Sequence, residues 1–211
     1  MPVGSLRGAD VGDVPFRSRY SLESCHEDLE TYYNLVLDAG VVPVSCGGDH
    51  SITGSILKAI GRKEPVAMIH IDAHCDTSGP YEGSKFHHGG PFRKAVLDGV
   101  LDPERVIQIG IRGGAEYLWE FSYVAGHGPV YVTFDIDSLD PAFAPGTGTP
   151  EVGGLTTREA LEILRGLKGL DIVGADIVEV APQYDATTNT AQAGAQVMFT
   201  LLSLVDIAIE E

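Results

Sequence analysis

Apolar positions along this chain fall into two alternating kinds of run. Short stretches at Val41–Cys46, Val66–Ile71, Val106–Ile111, Val130–Phe134 and Ile172–Val178 are almost continuously apolar and rich in β-branched residues, and longer segments with helical periodicity lie between them. A strand that is apolar without alternation is buried on both faces, and strands separated by helical segments form βα units that feed a largely parallel sheet. An α/β fold is therefore expected. The first helix is predicted over Leu22–Asp38, with Ser21 as N-cap and Gly40 just past its end. A later one begins near Thr157, where Thr156 and Glu159 have capping-box spacing, and ends near Lys168-Gly169. The last runs from Ala191 to about Ile209, with Val197, Leu201, Leu204 and Val205 on one core-facing stripe.

Composition narrows the setting. A chain of 211 residues, 44% of them hydrophobic, is long enough for one substantial core, and residues 1–211 are expected to form a single domain. Fourteen basic against 30 acidic side chains give a formal charge of −16, which disfavours nucleic acid and anionic membranes as partners and tolerates cationic ligands. Cys25, Cys46 and Cys75 are odd in number and lack paired spacing, so a reducing compartment, the cytoplasm, is expected. The opening Met1-Pro2-Val3-Gly4 has no leader pattern, and the apolar stretch Val197–Ile209 is short and interrupted by Asp206, so no signal peptide and no membrane span are expected.

Chemistry gathers where strands end. Val66–Ile71 is followed by Asp72-Ala73-His74-Cys75-Asp76, and in extended chain the spacing of two places Asp72, His74 and Asp76 on one face. Val130–Phe134 is followed by Asp135-Ile136-Asp137, and Val41–Cys46 by Gly47-Gly48-Asp49-His50. Taken singly, each of these is better explained as a turn or a solvated strand end. Taken together, four carboxylates converging at one end of a sheet would repel by several kcal/mol at an effective dielectric of about 20 unless cations lay between them. Two divalent ions bring +4 against the −4 of Asp72, Asp76, Asp135 and Asp137. The oxygen-rich set with two imidazoles favours Mn²⁺, with Fe, Co, Ni and Zn as competitors. Cys75 alternates away from His74 and is expected to pack. Paired metals that bridge a water and supply hydroxide at neutral pH point to metal-assisted hydrolysis.

The runs GGDHS (47–51), IDAHCD (71–76), HHGGPFR (87–93), FDIDSLDPAFAPGTGTPE (134–151) and VEVAPQYD (178–185) resemble those of the ureohydrolase (arginase/agmatinase) family, and agmatinases and guanidino-acid hydrolases most. The resemblance extends from about Asp10 to Leu204. It implies a three-layer α/β/α sandwich around a mainly parallel, arginase-like sheet, here lacking an N-terminal and one internal βα segment. The internal gap falls between Ile111 and Pro129. It further implies two manganese ions per subunit: His50 and Asp76 on one, His74 and Asp137 on the other, Asp72 and Asp135 bridging. His88 matches the histidine near the leaving amine, with His87 packing or facing solvent, and Glu179 matches the carboxylate that holds the guanidinium. Asp76 would also shuttle a proton.

The activity so implied is cleavage of a small cationic guanidino compound, agmatine first, to urea and an amine by a metal-bridged hydroxide, in a homotrimer or homohexamer. The alternatives are a hydrolase of a guanidino acid such as guanidinobutyrate, a one-zinc amide hydrolase, which the full six-residue set opposes, and a non-catalytic metal-binding paralogue. The stretch Thr77–Phe86 lacks the asparagine- and serine-rich loop with which arginases hold an α-amino acid head. Glu82 would suit the ammonium of agmatine and Lys85 the carboxylate of a guanidino acid, although both are equally explained as solvated loop charges.

Overall fold

The computed structural model describes residues 8–114 and 128–210. The opening Met1–Gly4 and most of the crossover between Arg112 and Gly128 lie outside them. The strands β1 (Val44–Cys46), β2 (Val66–Ile71), β3 (Leu101–Ile109), β4 (Val130–Asp135) and β5 (Ile172–Val178) form one sheet in the order β1-β5-β4-β2-β3, every pairing parallel. Among the described residues five α-helices flank it: α1 (Leu22–Asp38), α2 (Ser51–Ile60), α3 (Pro91–Leu97), α4 (Thr157–Arg165) and α5 (Asn189–Glu210). The pleat explains the layering. Ile69, Ile71, Val132, Phe134, Ala175 and Ile177 join α4 and α5 in one core, while Val66, Met68 and Tyr131 join α1, α2 and α3 in the other. This is the expected three-layer α/β/α sandwich.

Local chemistry sets the boundaries. Helix α1 has the expected span, and Ser21 accepts from the Ser24 amide. Both arms of the Thr156–Glu159 capping box are present, but α4 stops three residues early because Gly166 turns its amide toward Ile163 as well as Glu162 and the chain tightens. β1 begins at Val44 because Pro43 has no N–H, though its carbonyl accepts from Ala175. β3 begins five residues early, carries Pro103 at the sheet's edge, and ends at Ile109 because Gly110, at φ 95°, turns beneath the Asp72 carbonyl, only 2.9 Å from where a Cβ would stand. Helix α5 corrects the expectation of a short apolar tail: Asn189–Ile209 is long and apolar enough to cross a membrane. Its stripe of Val197, Leu201, Leu204 and Val205 is nonetheless buried in the core, as expected.

Helix α2 matters for the site because it starts immediately after His50. At its other end Gly61 lies so close to Val100 that a Cβ would stand 2.3 Å from that residue's carbonyl oxygen. Backbone cannot give way as a flexible side chain can. Gly61→Ala is expected to destabilise the protein by about 1–3 kcal/mol, the usual cost of overpacking, read as a lowered denaturant midpoint at unchanged slope. An unchanged midpoint would show that α2 is not clamped there.

Candidate metal centre

Strands β1, β5, β4 and β2 are adjacent, β1 lying at the sheet's edge, and the loops leaving their C-terminal ends meet at one end of the sheet. After β1 the chain turns through Gly47 and Gly48, at φ 99° and 77°, a left-handed pair that delivers His50 to the start of α2. The His50 amide donates to Glu179 Oε1 at 2.9 Å.

The His50 ring is buried, with Nε2 2.8 Å from Thr133 Oγ1. Thr133 spends its one hydroxyl proton on Asp176 Oδ1 at 2.6 Å, a carboxylate that also accepts from Thr53 at 2.7 Å and Tyr131 at 2.8 Å. Thr133 must therefore accept from His50, which places the proton of the neutral ring on Nε2 and its lone pair on Nδ1. That lone pair faces Asp72 Oδ2 at 3.0 Å, Asp76 Oδ2 at 3.0 Å and Asp135 Oδ2 at 3.3 Å, and Nδ1 has no hydrogen-bond partner. A lone pair opposed to three anionic oxygens is repulsive unless a cation sits among them. A second group adjoins the first: His74 Nδ1 is 3.0 Å from Asp137 Oδ2 and 3.6 Å from Asp72 Oδ1. Asp72 thus turns one oxygen to each histidine. Asp135 shares less evenly, since its Oδ1 accepts from the Asp137 amide at 2.8 Å.

The electrostatics state the same demand. Burial raises the Asp135 carboxyl well above the usual carboxylate range, and the charge of Asp72 adds to it. Burial also raises Asp137, with Asp72 adding to it against the pull of His74. At Asp72 burial is outweighed by the imidazoles of His70, His50 and His74, and the carboxyl is held well below its ordinary value. His74 is pushed up to about 11 by Asp137 and then Asp72, and His50 is raised despite burial by Asp135, Asp72 and Asp76. Without metal, protons serve as the cations, which is why the donor set fits divalent ions.

The route to this convergence differs from the extended-chain expectation. β2 stops at Ile71, and residues 72–76 bend: Asp72 Oδ1 accepts from the His74 amide at 2.6 Å, and Asp76 has φ 52°. Asp135 likewise leads into a 3₁₀ turn over Ile136–Ser138. Bent chain, not alternation, aims these side chains at one another. Of the other expected residues, Glu179 (φ 62°) ends beside His50, and His88 Nδ1 lies 3.3 Å from Glu179 Oε1. His87 packs, its Nε2 2.8 Å from the Gly79 carbonyl. Cys75 is buried, as expected.

Comparison with known proteins gives this geometry its context. The arginase family model matches residues 1–128 and 121–203. The chain belongs to the arginase family. It is an enzyme of the ureohydrolase type, 48% identical to the mitochondrial agmatinase of Gallus gallus over 97% of this chain and 68% of that one. It is 45% identical to a guanidinopropionase of Pseudomonas aeruginosa over 97% of this chain and 73% of that one. The structure of proclavaminate amidino hydrolase from Streptomyces clavuligerus superposes with a TM-score of 0.88 at 33% identity, covering 95% of this chain and 76% of that one. Both sequence alignments extend over 233 positions, more than the 211 residues of this chain, so these relatives carry extra residues within the matched span. The two segments of the family match meet at residues 121–128, inside the crossover where the internal gap was expected.

Three residues of this arginase-family site escaped the sequence analysis. His70 lies behind Asp72, with Nε2 2.6 Å from Asp72 Oδ2. Arg112 draws three loops together by donating to the carbonyls of Asp137 at 2.8 Å, Glu151 at 2.7 Å, Gly110 at 3.0 Å and Val152 at 3.2 Å. Gly113 lies flat against His74, where a Cβ would stand 2.5 Å from the ring. Only the Gly-Ile-Arg-Gly punctuation after β3 hinted at the last two.

Asp135 provides a test of the cation requirement. Its folded-state pKa lies above the unfolded value, so its contribution to metal-free stability is present below the unfolded carboxyl pKa and is lost as pH rises through the folded one. At pH 7 in chelator, Asp135→Asn is expected to melt above the wild type. With Mn²⁺ added the order should reverse, because a ligand present at 100 times its Kd stabilises by about 2.7 kcal/mol. Calorimetry of both proteins with and without metal checks this, and a variant less stable in both conditions would contradict it.

Proposed function

We propose that this chain, residues 1–211 acting as one catalytic domain, is a manganese-dependent amidinohydrolase that cleaves a small cationic guanidino compound, agmatine first, to urea and an amine. The observation that carries the reading is the His50 Nδ1 lone pair held against three carboxylate oxygens. The names of the relatives, an agmatinase, a guanidinopropionase and a proclavaminate amidino hydrolase, support the substrate class. His50 and Asp76 would hold one ion and His74 and Asp137 the other, with Asp72 and Asp135 shared between them. When bound, two such ions supply charge balance for the four aspartates and a water-derived nucleophile at neutral pH.

The remaining residues bind and move protons. Glu179, its Oε1 anchored by the His50 amide, presents a carboxylate to the substrate guanidinium, fixing the carbon in place for attack. His88 stands beside it, half exposed, and the hydrogen bond to Glu179 raises its pKa against the opposing effect of burial. A protonated imidazole at that spot suits delivery of a proton to the departing amine. Asp76, next to His50, is placed to take the proton released by the nucleophile.

A guanidino-acid substrate is the second reading. Lys85 lies in the loop that leads to His88, with its ammonium 5.4 Å from the centre of the Phe86 ring, and a turn of that side chain toward the site would offer a cation to a carboxylate. Glu82, the partner considered for the agmatine ammonium, sits at φ 47° in a tight turn closed by Tyr81 and Ser84. Assembly as a homotrimer or homohexamer is part of the proposal, tested by light scattering. Three free cysteines support a reducing, cytoplasmic setting, which localisation in cells would check.

Two measurements decide the reading. His88→Asn is expected to keep both metals and lose kcat on the order of 10²–10⁴-fold. In the wild type kcat should fall as pH rises through the raised pKa of His88, and that limb should vanish in the variant. Steady-state kcat/KM for agmatine, guanidinobutyrate and arginine should favour agmatine, since one lost charge contact costs about 1–3 kcal/mol, or about 5- to 150-fold. Preference for guanidinobutyrate promotes the second reading. Metal binding without turnover of any of the three identifies a non-catalytic paralogue.

A further inference from the structure

We propose that His70 and Gln108 form a positioning relay that aims Asp72 at the cation beside His50, an inference that rests on the dinuclear reading above. His70 is fully buried on β2, two residues before Asp72, and Gln108 is its register partner on β3. The Gln108 Nε2 lies 2.9 Å from the Cys75 carbonyl and 2.9 Å from His70 Nδ1. A carbonyl only accepts, so the NH₂ end of the amide faces both partners and its second hydrogen goes to His70 Nδ1. Nδ1 is thereby the acceptor, and the ring proton sits on Nε2, 2.6 Å from Asp72 Oδ2.

That assignment excludes the obvious alternative. His70 lies within ligand distance of His50 and Asp72, yet both of its nitrogens are already used, and it has no free lone pair for a metal. It acts through Asp72 instead. The oxygen it holds is Oδ2, the one facing His50 Nδ1, whereas Oδ1 is held by the His74 amide at 2.6 Å. Asp72 is therefore pinned at both oxygens by different parts of the fold, and the His70 contact itself bears on the cluster beside His50. Phe92, fully buried, packs 4.4 Å from the His70 ring centre and 5.1 Å from that of His50 and keeps water from the contact, where low dielectric strengthens a hydrogen bond. The other hydrogen of the same amide fixes the Cys75 carbonyl, between His74 and Asp76, so the relay also holds the bend that presents those two residues.

Partners of this outer kind typically alter metal affinity 10- to 100-fold. The test is titration of metal-free protein with Mn²⁺, following free ion by its six-line electron paramagnetic resonance signal. The wild type should bind two ions. His70→Phe keeps a ring against Phe92 but loses the donor, and it should weaken one of the two sites about 10- to 100-fold while leaving the other unchanged. His70→Gln, which presents an N–H near the former Nε2, should recover most of that affinity, and Gln108→Leu should fall between. Circular dichroism of each variant in chelator confirms folding. Wild-type affinity in His70→Phe, or equal damage in His70→Gln and His70→Phe, overturns the relay. Should His70→Phe fail to fold, full affinity in Gln108→Leu overturns it equally. A wild type holding one ion refutes the dinuclear reading, while the Phe and Gln variants still decide the relay at the site that remains, and no binding at all refutes both.

Discussion

Opposed negative charge is the constraint on which this structure turns. Asp72, Asp76 and Asp135 bring oxygens to within 3.0–3.3 Å of one nitrogen whose proton is committed elsewhere. Such a cluster is unfavourable by itself, and the surroundings oppose its relaxation. Parallel strands buried on both faces leave their C-terminal ends little freedom. Thr133 and Asp176 hold the His50 ring from below, and the Asp72 oxygens are tied to a buried imidazole and a backbone amide. Rigidity around a repulsive centre is how a protein keeps an ion site shaped in readiness for the ion.

Much of this was legible in the sequence, for definite reasons. β2 and β5 have their expected bounds because a mostly apolar run between Pro65 and Asp72, or between Asp171 and Glu179, leaves little choice. Ser21 and the Thr156–Glu159 pair are chemical signals with a single local meaning. The converging aspartates and histidines were visible because carboxylates directly after buried strands have few structural uses. What escaped depends on geometry. His70 sits inside an apolar run and takes its role only from the pairing of β2 with β3, which sets Gln108 beside it. Arg112 lies nearly 40 residues from the Glu151 carbonyl it binds, a distance that no local pattern spans. The bend over residues 72–76 was hidden because spacing of two is shared by extended and folded chain alike.

The electrostatic design is layered. A formal charge of −16 surrounds the molecule with a field that favours cations, both metal and organic. Within the site the same sign is concentrated in the buried Asp72, Asp135 and Asp137 and the partly buried Asp76, and Glu179 adds one further carboxylate beside His50. The progression from diffuse to focused charge suits a ligand that arrives as a cation and divalent ions that stay. Glu179 also couples the two regions, because the amide that anchors it belongs to His50.

Asp76 and Glu179 share a property unrelated to charge: both hold left-handed backbone, at φ 52° and 62°, where a side chain costs on the order of 1–3 kcal/mol. Glycine would sit there comfortably, yet neither position could then present a carboxylate. Thermostability and chemistry thus pull in opposite directions at these two points. A laboratory evolution experiment that rewarded heat resistance alone would drift toward glycine at both, and would arrive at a sturdier protein with an emptied workplace.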